Sequence, residues 1–151
     1  PHGQDSVVFR ISANPGEPTM PLASVASGGE VSRIMLAIKS VLSQSDPIAT
    51  LIFDEVDTGI GGEVALSVGE HLHTLAQSKQ IFCITHLASV AVRADNHVIV
   101  RKEERDDRTV TRVEEISYEQ RIEEVARMLA GDGSEHVSRE HARQLLERYR
   151  S

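Results

Sequence analysis

The sequence predicts an α/β domain: a mostly parallel sheet with flanking helices and a β-hairpin at its periphery. Three observations carry that prediction. Thr50-Leu51-Ile52-Phe53 and Ile81-Phe82-Cys83-Ile84-Thr85 are apolar runs of strand length, the pattern of strands buried on both faces of a helix-covered sheet. Between them a helical stripe falls at Val64, Ala65, Val68, Leu72, Leu75 and Ala76, so strand, helix and strand form a βαβ unit with an expected right-handed crossover. Further on, residues 98–100 and 109–113 are rich in β-branched side chains and flank a charged stretch holding Asp106 and Asp107, the signature of a hairpin.

The remaining elements follow in chain order. Residues 7–11 read as a short strand, stopped by Asn14-Pro15-Gly16, since proline and glycine break regular structure. A long loop then runs to Ala26, and loops of that length in compact domains are often functional. From Val31 the apolar residues Val31, Ile34, Met35, Ile38, Val41 and Leu42 fit a helix. After the hairpin, one helix has its stripe at Ile122, Val125, Ala126 and Leu129 and stops at Gly131, and a last helix runs from about Glu135 to Tyr149. Arg139, Arg143 and Arg150 on that helix read as a solvated charged face.

Composition narrows the class. At 151 residues, with 40% apolar and 26% charged, the chain fits one domain with a real core. Only 3% is aromatic and Trp is absent, so that core must be aliphatic. The single Cys83 rules out an internal disulfide framework and a multi-cysteine zinc site; in its apolar run it reads as a small buried hydrophobe. The absence of a membrane-length apolar run and of a signal-like start favours a soluble, cytoplasmic protein. The net charge of −7 argues against nucleic-acid contact over most of the surface, because phosphate recognition needs cations. Any such contact needs a local patch or parts of the protein beyond this sequence.

Three motifs carry chemistry. Ser27-Gly28-Gly29-Glu30 precedes the first long helix. Serine followed three residues later by glutamate is a capping box. The two glycines add an anion reading, since bare helix N-terminal amides and the helix dipole favour phosphate. Asp54-Glu55 ends an apolar strand, at the sheet edge where open α/β folds bind ligands. There Asp54 suits Mg²⁺, which keeps several waters and takes few carboxylates, and Glu55 suits orientation of a water attacking a phosphate. Thr85-His86 ends the next parallel strand and so opens onto the same edge. The other histidines (His2, His71, His73, His97, His136 and His141) have no such setting, and His71 and His73 do not share a helix face.

The order of these motifs, with the turn Asp57-Thr58-Gly59-Ile60-Gly61-Gly62 between the last two, resembles the signature motif, Walker B, D-loop and H-loop of ATP-binding-cassette (ABC) ATPases. The stretches 25–34, 53–62, 14–18 and 84–87 narrow the resemblance to the RecN family of SMC-like DNA repair proteins. It covers about residues 7–150. It implies the C-terminal half of an ABC ATPase head, residues 1–151, split in sequence from its Walker A half by a coiled coil. It implies ATP and Mg²⁺ as cofactors, a homodimer of heads sandwiching nucleotide, and double-strand break repair on DNA ends at the nucleoid, with no membrane. Ser27, Gly28, Gly29 and Glu30 would meet the opposite head's nucleotide, with Asp57 at the dimer seam. Asp54, Glu55 and His86 would serve the head's own nucleotide.

The sequence departs from a complete head. No G-x-x-x-x-G-K-[ST] motif occurs, so the phosphate-cradling loop is absent. The resemblance therefore implies a fragment that is inactive alone. Two alternatives stay open: the head of another SMC-like or ABC protein, and a clamp in which ATP joins heads without being hydrolysed.

Overall fold

The computed structural model describes residues 3–4, 6–12, 16–24, 27–105, 108–130 and 135–149. Its centre is a parallel pair, β3 (Thr50–Phe53) and β4 (Gln80–Cys83), in the register Leu51↔Ile81 and Phe53↔Cys83. The connecting helix α2 (Gly62–Ala76) buries Ala65, Val68, Gly69, Leu72 and Leu75, with the spacing the sequence predicts. The parallel βαβ unit is thus present. The other pairs are antiparallel: β1 (Arg10–Ile11) with β2 (Met20–Pro21), and β5 (Val98–Arg105) with β6 (Arg108–Glu115).

The first core cluster joins Leu36, Phe53, Val56, Val68, Leu72, Leu75 and Val90, with Leu51, Ile81 and Cys83 packed against it. Only one face of the β3–β4 pair is covered. Ile52 is 71% exposed, Phe82 51% and Ile84 60%, although the apolar runs predict burial on both sides. Among the described residues no element lies over that second face.

The first long helix, α1 (Gly28–Val41), differs from expectation in the same way. Its buried residues are Gly29 and Leu36, whereas Val31, Met35, Val41 and Leu42 of the predicted stripe are exposed. The strand expected over residues 7–11 shrinks to two residues, and Val7, Val8 and Phe9 are exposed. The expected loop beyond it contains β2 and a 3₁₀ turn, Leu22–Ser24. Asn14, Pro15 and Ala26 lie outside the described residues, as do Val25, Asp106, Asp107, Gly131 and Arg150.

A second core gathers the short helix α3 (Ala88–Ala91), α4 (Tyr118–Ala130) and α5 (Glu135–Arg148) around Ile122 and Val125, both fully buried. Arg121 fixes the end of α3: its Nη2 donates to Ala91 O at 3.0 Å, to Val92 O at 3.2 Å and to Ala94 O. Ala91 O also accepts the Ala94 N–H at 3.3 Å, so the guanidinium reinforces the last turn there and supplies a donor to carbonyls beyond it. On α5, Arg139 pairs with Glu123 at 2.7 Å and Arg143 approaches Glu140 at 3.9 Å; both pairs are solvated. The hairpin is longer than predicted, and every residue of β6 is exposed.

Candidate functional site

The end of β3 turns directly into the segment that meets every predicted motif. Asp54 and Glu55 are both exposed. Asp54 Oδ1 accepts the Glu55 N–H at 2.9 Å, and Thr58 N–H closes the turn on Glu55 O at 3.0 Å. Glu55 has φ 58, and no other non-glycine among the described residues has a positive φ. That conformation costs an L-residue about 1–2 kcal/mol, so the surroundings must hold it.

Helix α1 supplies the hold. Ser32 Oγ donates to Asp54 O at 2.6 Å. Arg33 Nη1 donates to Val56 O at 3.2 Å and to Thr58 O at 3.0 Å. Ser27 is the N-cap, its hydroxyl accepting from Glu30 N at 3.2 Å, the first of the two bonds of a capping box. Gly29 has an internal reason to lack a side chain. A Cβ on Gly29 would stand 3.0 Å from both Glu55 O and Thr58 O, and one on Gly28 would collide with Glu55 Oε2. The start of α1 and the carboxylate turn are therefore in direct contact, with the Glu55 carboxylate beside the helix N-terminus.

Asp57 organises the third motif. It is only 2% exposed, and its Oδ2 accepts from Thr85 Oγ1 at 2.5 Å and from His86 N at 3.0 Å. His86 Nδ1 lies 3.2 Å from the same oxygen, while the imidazole is 70% exposed. The resemblance places Asp57 at a dimer seam; in this chain its carboxylate faces inward, on the Thr85–His86 turn. His86 sits in the loop after β4, with its ring anchored at Nδ1.

A cleft of about 320 Å³ opens beside His86, lined by His97, Glu124, Arg127 and Met128 among others. His97, set apart from the site by sequence, is thus a neighbour of it. Burial first, and then the Arg121 charge, lower the pKa of His97, with Glu124 opposing. Glu124 is held below its ordinary value chiefly by its hydrogen bond from Arg127, at 2.5 Å from Nη2. Cys83 is half-buried, and burial, with Asp57 and Asp54 adding, pushes its thiol up to about 12. It is an inert packing group.

The geometry thus brings Ser27, Gly28, Gly29, Glu30, Asp54, Glu55, Asp57 and His86 to one end of the β3–β4 pair. Sequence reasoning gave no role to Ser32, Arg33 or Thr85. The available signal was a polar pair, Ser32-Arg33, one turn into α1 between apolar residues Val31 and Ile34. Among the described residues no group of three or more His, Cys, Asp or Glu side chains could hold a metal. The donor set offered is the exposed Asp54 carboxylate, which suits an ion that brings its own waters.

Fold and site are consistent with a class, a lobe of an ABC-type ATPase head. Over nearly its whole length the sequence is similar to RecN proteins. It is 56% identical to the DNA repair protein RecN of Treponema pallidum over 146 residues, 97% of this chain and 26% of that one. It is 50% identical to RecN of Deinococcus radiodurans over 145 residues and 47% identical to RecN of Bacillus subtilis over 144 residues. The chain spans about a quarter of the length of each. No protein-family model matches it. A solved SMC ATPase chain aligns loosely, with TM-score 0.46 and 22% identity over 68% of this chain and 60% of that one.

Proposed function

We propose that this chain is the ATP-hydrolysing side of a head in a RecN-type protein, working in DNA double-strand break repair and recombination. The observation that carries the reading is the junction at the end of β3. One turn presents two exposed carboxylates, touches the glycine start of α1 and buries an aspartate that anchors His86. Each residue then has a task. Asp54 would hold Mg²⁺, an ion that takes few carboxylates. Glu55 orients and polarises the attacking water. His86, with Nδ1 taken by Asp57, meets the γ-phosphate through Nε2. Mg²⁺ bound with the nucleotide supplies charge neutralisation on the phosphates.

In this reading Ser27, Gly28 and Gly29 cap the nucleotide of a second head in a homodimer, and Glu30 closes the cap at the helix start. Phosphate and Glu55 compete for that helix N-terminus, because both are anions favoured by the dipole. The exposed row Ile52, Phe82 and Ile84 is the face on which the Walker A half of the same protein packs. The relatives, about four times as long, have room for that half, and their repair role suggests that the assembled protein acts on DNA ends in the cytoplasm at the nucleoid. Among the described residues no helix is long and apolar enough to cross a membrane.

The test is Glu55→Gln in the complete protein. ATP binding and head dimers persist, and turnover falls at least about a hundredfold, the scale of a lost general base. Turnover near that of the parent removes Glu55 as the base. A parent protein that binds ATP and dimerises without hydrolysing it is a clamp instead. The 151-residue chain alone binds ATP no tighter than millimolar on this reading, and micromolar binding by calorimetry contradicts the missing-half account.

A further inference from the structure

Arg33 takes no part in the assignments above, yet it touches the segment that carries them. We propose that Arg33 is a positioning residue for hydrolysis: from α1 it sets the backbone of the turn at residues 54–58, and through it the aim of Glu55. The inference rests on the functional reading given above and deepens it.

Three observations lead there. The carbonyls of Asp54, Val56 and Thr58 alternate along the turn, and α1 satisfies all of them, the first through Ser32 Oγ and the others through Arg33 Nη1. Glu55 lies between residues fixed in this way and keeps a left-handed backbone, φ 58. Such a conformation persists only when its surroundings over-determine it. The guanidinium also has a built seat: Arg33 Nη1 stands 3.1 Å from where a Cβ on Gly29 would fall. Any side chain at position 29 would crowd both the cation and the carbonyls it holds.

The chemistry favours positioning over charge pairing. Among the described residues Arg33 makes no ion pair, and its hydrogen bonds go to two backbone oxygens of one turn, Val56 O and Thr58 O. A planar, permanently charged donor is suited to such fixed acceptors. Losing it releases Val56 O and Thr58 O, so Glu55 can relax toward an ordinary backbone and point elsewhere. Asp54 remains tied by Ser32, so nucleotide and Mg²⁺ binding are spared.

The experiment uses the complete protein, with Arg33→Gln compared against the parent and against Glu55→Gln. For Arg33→Gln we expect kcat to fall about tenfold or more while KM for ATP stays within about twofold, the pattern of an interaction realised in the transition state. ATP-driven dimerisation and the melting temperature stay in place. Unchanged kcat overturns the inference. So does a fall in kcat matched by weaker ATP binding or a lower melting temperature, since Arg33 would then be a staple of the fold. If Glu55→Gln itself retains turnover, the functional reading fails and takes this inference with it. If Glu55→Gln is inactive and Arg33→Gln is unimpaired, only the inference fails.

Discussion

Ile52 and Phe53 are neighbours on β3, equally apolar, and their surroundings are opposite. Phe53 is 5% exposed, packed among Val68, Leu72 and Leu36, whereas Ile52 looks out over nothing. Phe82 and Cys83 repeat the contrast on β4. Side chains alternate across a strand, so an apolar residue on each face encodes two covers, of which the described residues provide one. The difference separates two questions that a strand sequence merges: which strand is central in the finished protein, and which cover the same stretch of chain supplies.

The sharpest way to break the contrast is to truncate both neighbours. Phe53→Ala removes a ring from the covered side and costs about 3–5 kcal/mol in urea unfolding. Ile52→Ala in this chain costs no more than about 0.5 kcal/mol, the usual scale for exposed positions. In the complete protein the same Ile52→Ala costs about 2–5 kcal/mol if a second cover lies on that face. Equal small effects in both settings would mean that the face stays bare, and the proposed packing of a Walker A half would be wrong.

Asp57 tests the covered side from its polar end. Its Oδ2 is the shared acceptor of Thr85 Oγ1 and His86 N–H. Asp57→Ala leaves both donors without it and costs about 1–3 kcal/mol, the range for stranded polar groups. Thr85→Val removes that bond and also the acceptor of the Leu87 N–H, so on the Asp57→Ala background it costs less than it does alone, the remainder being the Leu87 bond. Fully additive losses in urea unfolding would show that Thr85 and Asp57 act separately.

Much of this could be read in the sequence, and its failures have a common cause. On α4 the predicted stripe is the inward face, and on α2 it is so from Ala65 to Leu75, with Val64 at its start 53% exposed, because each helix packs on partners within the chain. The stripe on α1 misled: Leu36, its main anchor, was passed over, and Val31, Met35, Val41 and Leu42 are bare. Periodicity reports that a face is apolar, not which polypeptide covers it. At the site the motif residues were found, since their types carry chemistry. Ser32, Arg33 and Thr85 were given no role because they act on backbone atoms, and carbonyl positions leave no trace in residue type. The resemblance places Asp57 at a dimer seam and says nothing of its partners within the chain, Thr85 and His86.

The smallest effect concerns His97, which lies between the two cores' surroundings and the cleft beside His86. Its Nδ1 is buried without a hydrogen-bond partner. Burial and the nearby Arg121 charge lower its pKa, against the weaker pull of Glu124. A histidine lowered in the folded state binds fewer protons there than in the unfolded chain, whose value is about 6.5. Stability therefore rises with pH across the window just below 6.5, is complete above it, and is lost as pH falls through the folded value. His97→Gln cannot titrate, so its unfolding free energy should lose part of the fall that the parent shows between about pH 7 and pH 5. The informative quantity is the difference between variant and parent at each pH. A difference that stays constant would mean that His97 is as well solvated folded as unfolded. A difference that opens toward acid places the uncharged imidazole in the wall of the cleft, one side chain away from the residue assigned to the γ-phosphate.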